Sequence, residues 1–212
     1  MVNEERIPRT FFGFGASAGG IEALIAVLDI LPSWLDATIA IVMHRSPSFQ
    51  SVLVDILGRH CALPTSEPRD GEAIQRGRVY LAPRDRHLIV NGDAWHLADG
   101  EMLHRWRPAV DPLFKSAAKS RGSGVAGVLL SGGGSDGVEG LIEIKRLGGL
   151  SIAQDPRQAL QESMPASAIK YDDVDAVLRV EQIGAIIPPL VAGEAVEGGG
   201  GDGRARRRGV GR

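Results

Sequence analysis

The chain has 212 residues, 43% apolar and 24% charged, so it can bury a core and wholesale disorder is excluded. Its 28 glycines and 12 prolines follow no Gly-X-Y period, and its single cysteine, Cys61, excludes an internal disulfide and a metal site built on paired thiolates. The net charge of −2 is a cancellation: residues 198–212 hold five arginines and one aspartate, which leaves 19 basic and 25 acidic residues in 1–197, an acidic body unsuited to nucleic acid.

The opening MVNEERIPRT has no apolar h-region, and no run reaches the ~18 apolar residues of a membrane span. A cytoplasmic chain without an integral membrane segment is expected. Arg9–Phe14 reads as a short strand that breaks at the glycines of GFGASAGG. Ile21, Leu24, Ile25, Leu28 and Leu31 recur at helical spacing until Pro32 stops them. Thr38–Met43 (TIAIVM) is a continuous β-branched run, the pattern of a strand covered on both faces. Phe49–Cys61 returns to helical period through Phe49, Val52, Leu53, Ile56 and Leu57, completing a βαβ signature. Val79–Ala82 reads as a strand, and Leu88–Val90 with Ala94–Leu97 as a hairpin around Asn91-Gly92-Asp93, an antiparallel insertion at the sheet edge. Helices are expected over Val110–Ser120 and Val138–Leu147, with a buried strand over Val125–Leu130 between them. Ser151–Ala153 and Ala176–Leu178 are short strands flanking a short helix at Pro165–Lys170. Glu181–Val191 predicts a last helix that Pro188-Pro189 should break or bend. Residues 196–212, rich in Gly and Arg, are expected to be a disordered tail.

The first glycine loop admits more than one chemistry. Gly13-Phe14-Gly15-Ala16-Ser17-Ala18 matches G-x-G-x-x-A between a strand and a helix, the setting of a dinucleotide fingerprint. The overlapping Gly15-Ala16-Ser17-Ala18-Gly19 matches G-x-S-x-G, in which glycines permit a tight turn that exposes a serine. A plain Gly-rich turn is the third reading. A nicotinamide domain wants an acidic residue after its second strand, but Asp36 precedes TIAIVM and His44-Arg45 follows it. Arg45 leaves an NADP reading open, whereas His44 suits a general base for Ser17. Asp136 follows VAGVLL, so parallel strands would bring Ser17, His44 and Asp136 to one carboxyl edge. Such a trio answers a chemical need: imidazole activates the hydroxyl, and a carboxylate orients the imidazole. Asp136 or Ser135 could equally cap the helix that begins near Val138.

The sequence resembles the catalytic domain of CheB, the chemotaxis protein-glutamate methylesterase and glutamine deamidase. The resemblance rests on Gly15-Ala16-Ser17 with Gly19-Gly20, His44 with Pro47 and Phe49, Tyr80–Pro83, His87-Leu88, Arg107–Asp111, Leu130–Gly132 with Asp136-Gly137, Ala153–Asp155, and Met164-Pro165, in family order across roughly residues 10–190. It implies an α/β fold: a doubly wound, mainly parallel sheet with helices on both faces and an antiparallel β-hairpin at the edge. It divides the chain into an extension, 1–8, one methylesterase domain, 9–195, and the tail, 196–212. It implies the triad Ser17, His44 and Asp136, no metal and no organic cofactor, and a methyl-glutamate ester on the cytoplasmic helices of chemoreceptors as substrate. The family often carries an N-terminal receiver; with about nine residues before the first strand, none is expected in this sequence.

Two positions depart from the family pattern. Ala18 stands where threonine is usual, and Gly133 where methionine is usual, so the expected oxyanion donors are the backbone N–H groups of Ala18 and Gly133. Loss of one such donor costs about 10²–10³ in kcat, and a weakened, receptor-binding scaffold is therefore the alternative, ahead of an NAD(P)-dependent oxidoreductase. Arg84, Arg86, Arg105 and Arg107 form a basic group around the hairpin, and Arg45 and Arg107 are the candidates for docking substrate. His60, His87, His96 and His104 are expected to be structural or solvated, and Cys61 a buried small hydrophobe. No residue pattern assigns an oligomeric state.

Overall fold

The computed structural model describes residues 7–45 and 52–194. In chain order the elements are β1 (Phe11–Ala16), α1 (Gly20–Leu28), β2 (Thr38–Met43), α2 (Leu53–Arg59), β3 (Thr65–Ser66), β4 (Arg78–Leu81), β5 (His87–Asn91), β6 (Ala94–Ala98), α3 (Val110–Arg121), β7 (Val125–Leu129), α4 (Val138–Arg146), β8 (Leu150–Gln154), α5 (Ser163–Asp172), β9 (Ala176–Leu178) and α6 (Val180–Val191). Seven strands make one sheet in the order β3-β4-β2-β1-β7-β8-β9, and every pairing in it is parallel. The chain runs outward from β1 to one side, then returns past it to build the other. The strand order therefore reverses at β1, and in such sheets the crevice for ligands opens at the carboxyl ends beside the reversal.

Period-2 alternation sorts the strand side chains onto two cores. Phe12, Phe14, Ile39, Ile41 and Met43 face one layer with Leu24, Val27, Ile183 and Ile187 of α1 and α6. Phe11, Ala40, Val42 and Tyr80 face the other, with Leu113 and Phe114 of α3 and Leu141 and Ile144 of α4. Burial on both faces is why TIAIVM carries no polar alternation.

Thr38–Met43 and Ala176–Leu178 are strands over the predicted spans. The hairpin pairs Asn91 with Ala94, so Gly92 and Asp93 are its central residues, Gly92 taking the positive φ (59°) the turn requires. It is a two-stranded sheet of its own, packing Leu88, Val90, Trp95 and Leu97 into the core beneath α3. The helix α1 ends at Leu28, and Leu31 is buried beyond it. Phe49 and Pro47 lie outside the described residues, as do residues 1–6 and the tail 196–212.

Of the break or bend expected at Pro188-Pro189, the break does not occur: α6 runs through both residues to Val191. Both prolines sit in its final turn and forgo the N–H bonds to the Gly184 and Ala185 carbonyls, but little helix follows them to be displaced; Gly184 itself packs against Ile30 and the Val27 carbonyl of α1. No helix among the described residues is long and apolar enough to cross a membrane.

Candidate active site

The parallel ladders continue one step past the strand ends. His44 N–H donates to the Ala16 carbonyl (3.0 Å), Leu130 N–H to Gly15 (2.9 Å), and Ser17 N–H to Ser131 (3.0 Å). Ser17, His44 and the 130–136 loop are thus set side by side at the carboxyl edge. The Ser17 turn is tied down further: Ser131 Oγ donates to the Ala18 carbonyl (2.8 Å), and Ser131 N–H to Gln154 Oε1 (2.7 Å). Gly132 approaches so closely that a Cβ there would lie 2.9 Å from Ser17 Cβ and 2.4 Å from Met164 Sδ. Gly19 takes a left-handed φ of 73° and lets the chain turn into α1.

The dinucleotide reading of Gly13 and Gly15 fails here. Both lie inside β1, and a Cβ on Gly13 would meet Phe114 at 2.8 Å, on Gly15 Val110 at 2.6 Å. Their missing side chains admit α3 onto the sheet, and no phosphate loop is formed.

Asp136 is 1% exposed, and His44 Nε2 meets its Oδ2 at 2.6 Å. The same Oδ2 accepts the Val110 N–H (2.7 Å), and Oδ1 accepts the Asp111 N–H (3.1 Å). The carboxylate therefore sits at the N-terminus of α3, where unpaired amides and the helix dipole favour negative charge. Asp136 does not cap α4; that place belongs to Gly137, at φ 94°. Asp111 is buried beside it, accepting the Gly140 N–H at Oδ1 (2.7 Å) and meeting His104 Nε2 at Oδ2 (3.2 Å). Burial, then the Asp136 charge, holds the Asp111 carboxyl above the usual carboxylate range. His104, Asp111 and Asp136 bring ligand atoms within 4.8 Å of one another, but their oxygens already receive backbone N–H groups and imidazoles.

Trp106 stacks on His44, ring centroids 4.5 Å apart and planes 11° from parallel. Nδ1 of His44 is buried with no hydrogen-bond partner among the described residues. A cleft of about 640 Å³ opens over this group. Ser17, His44 and Trp106 line it, with Ile21, Ile56 and Leu160 among its apolar walls. Ala18 lines the cleft too, whereas Gly133 is exposed outside it; neither N–H donates to a partner among the described residues.

Arg45 lines the cleft with its guanidinium held by Glu67 (3.1 Å) and the Ala82 carbonyl, and burial lowers its pKa. Arg107 does not line it: its guanidinium clamps Asp85 (2.7 Å) to the Gly100 carbonyl (2.8 Å). Arg86 pairs with Asp99, and of the basic group only Arg84 reaches the cleft wall. His87 is buried between Ala109 N–H and the Glu101 carbonyl, while His60 and His96 pair with Asp29 and Asp70. Cys61 is half-buried, and burial raises its thiol pKa. Sequence reading missed Trp106 altogether and gave no separate role to Asp111, although Arg107–Asp111 was among the motifs it quoted.

Residues 12–187 match the family described as CheB methylesterase. A protein-glutamate methylesterase/protein-glutamine glutaminase of Anaeromyxobacter dehalogenans is 41% identical over 169 residues, 80% of this chain and 50% of its own. A putative protein of the same name from Leptospira interrogans is 38% identical over 170 residues, covering 80% of this chain and 88% of its own. The crystal structure of the Thermotoga maritima CheB methylesterase catalytic domain superposes with a TM-score of 0.82 at 32% identity, over 87% of this chain and all of that one. The chain spans about half the length of relatives such as those of Anaeromyxobacter and Rhodospirillum rubrum (50% and 47%).

Proposed function

The chain belongs to the CheB methylesterase family, and from that premise we propose that it hydrolyses methyl-glutamate esters on the cytoplasmic helices of chemoreceptors, with Ser17 as nucleophile, His44 as base and Asp136 as its partner. The observation that carries this reading is the 2.6 Å bond between His44 and a fully buried Asp136, in a cleft edge shared with Ser17.

With Nε2–H donated to Asp136, the lone pair of His44 resides on Nδ1, the unpartnered atom. Nδ1 takes the Ser17 proton as Oγ attacks the ester carbonyl. The Ala18 N–H, unengaged and in the cleft wall, is the donor assigned to the developing oxyanion; Gly133, exposed outside the cleft, is not placed to join it. His44 then returns the proton to the departing methoxide, methanol leaves, and water hydrolyses the glutamyl-enzyme by the reverse proton path. A glutamine side chain follows the same steps with ammonia as leaving group.

The test is methanol release from a methylated receptor fragment. The native chain should release methanol and Ser17→Ala should not. Equal release by the two, or none by the native chain, overturns the reading; none from a chain that still binds the fragment would favour the scaffold alternative.

A further inference from the structure

We propose that Trp106 is a positioning residue: its indole face fixes the plane of the His44 imidazole so that Nδ1 is aimed at Ser17. The inference rests on the reading of His44 as the base. Nε2 is held by Asp136, but one hydrogen bond leaves an aromatic ring free to tilt and swing about the bonded atom. The second constraint is the stack with Trp106, 4.5 Å away and 11° from parallel. Hydrogen bond and stack together leave the ring one orientation, with its side chain wholly buried.

The segment carrying Trp106 is built to hold it there. Leu103 and Trp106 exchange both backbone hydrogen bonds (3.1 and 2.8 Å) across a two-residue turn. The central residues, His104 and Arg105, both take left-handed φ (51° and 72°), a conformation L side chains rarely adopt and the one such a turn demands. His104 then reaches Asp111 (3.2 Å), whose own N–H bonds Asp136. The chain of contacts closes on itself: Trp106 to His44, His44 to Asp136, Asp136 to Asp111, Asp111 to His104, and back to Trp106 through the turn. An indole face also attracts a cation, so the stack strengthens as His44 becomes imidazolium in the transition state. Its effect therefore belongs in kcat.

The experiment compares Trp106→Phe, which keeps a flat face, with Trp106→Leu and Trp106→Met, which keep apolar volume without one. Measured are kcat and KM for the methylated fragment and the rate at which a small fluorophosphonate labels Ser17, a probe too small to span the cleft; unfolding midpoints show that each variant folds. Leu and Met should lower kcat and the labelling rate in parallel, by about 10–100-fold as misaligned catalytic groups do. KM should stay within about two-fold, and Phe should remain close to native. Equal rates in the Phe and Leu variants overturn the proposal, as does a raised KM at unchanged kcat, which would make Trp106 a substrate contact. Labelling and turnover that survive Ser17→Ala are a different failure, that of the nucleophile itself.

Discussion

Two carboxylates share the N-terminus of α3, Asp136 holding His44 and Asp111 holding His104. Asp136 has its oxygens filled by the amides of Val110 and Asp111 and by His44. Asp111 lies in its field and out of water, and its carboxyl is held above the usual range, which Gly140 N–H, Lys115 and His104 only partly offset. The folded chain therefore keeps a proton on Asp111 that the unfolded chain gives up near the ordinary aspartate value, about 3.9. Between those two values the native state binds more protons, so stability falls as pH rises through the window, and a fixed penalty remains above it. Asp111→Asn removes the titration. Its stability relative to the native chain should grow from about pH 4 upward and then level off, in urea unfolding run at a series of pH values; parallel curves would show that Asp111 does not titrate in this window. At this scale the legible residues were those whose places follow from strand ends. Ser17, His44 and Asp136 each succeed a strand, and parallel strands bring such positions together whatever else the fold does. Trp106 and Asp111 act through a turn and a helix start that meet the site only in three dimensions, and no local period marks either. Arg107 shows the converse: a charge near a predicted site, spent on bracing two loops.

At the scale of elements, the glycines separate packing from chemistry. Gly15 lies in β1 where a Cβ would come within 2.6 Å of Val110 and Leu129, the first pushing on the start of α3. Gly15→Ala should cost about 1–3 kcal/mol of stability, as overpacked cores do, and should lower activity as well, since Val110 carries one of the amides that hold Asp136. Gly133 is the control: nothing lies within 4 Å of its Cβ position and its φ is not left-handed. Gly133→Ala should keep the fold and gain up to about 0.4–1 kcal/mol by restricting the unfolded chain. Thermal unfolding of both variants decides it, and equal Tm values would remove the packing role given to Gly15. These glycines also mark where sequence was ambiguous, because a strand stripped of side chains to admit a helix spells the same pattern as a phosphate loop. Strands buried on both faces were plain, as TIAIVM was. The two-residue β3, Thr65–Ser66, went unforeseen because two residues carry no period. Pro188-Pro189 fail to break α6 because both fall in its final turn, where little helix remains beyond them to be displaced.

Across the whole molecule, the described chain closes on itself at α6. Arg9 N–H bonds the Leu190 carbonyl (2.9 Å) just before β1, and α6 packs on α1 where Gly184 meets Ile30 and the Val27 carbonyl. Together the two cores draw on residues from Phe11 to Leu190, with Val191 packed at the margin of one. The cleft, set by the carboxyl ends of β1 and β2 and by the segment bearing Trp106, likewise takes its lining from residues 17 to 160. Among the described residues, the last to pack on either core is Val191, and the last to line the cleft is Leu160. Residues 195–212, rich in Gly and Arg, have no apolar periodicity with which to add to a core, so a chain ending at Glu194 should unfold in urea with the native midpoint and the native m-value, because m follows the area exposed on unfolding. The removed residues carry all five arginines of 198–212, so the net charge of the remainder becomes more negative. Long-range attraction to the acidic receptor helix proposed as partner should weaken at low ionic strength, with little difference left at high salt. Turnover of a small uncharged methyl ester should stay the same at either ionic strength. A lower midpoint or m-value in the shortened chain would place part of the core beyond Glu194.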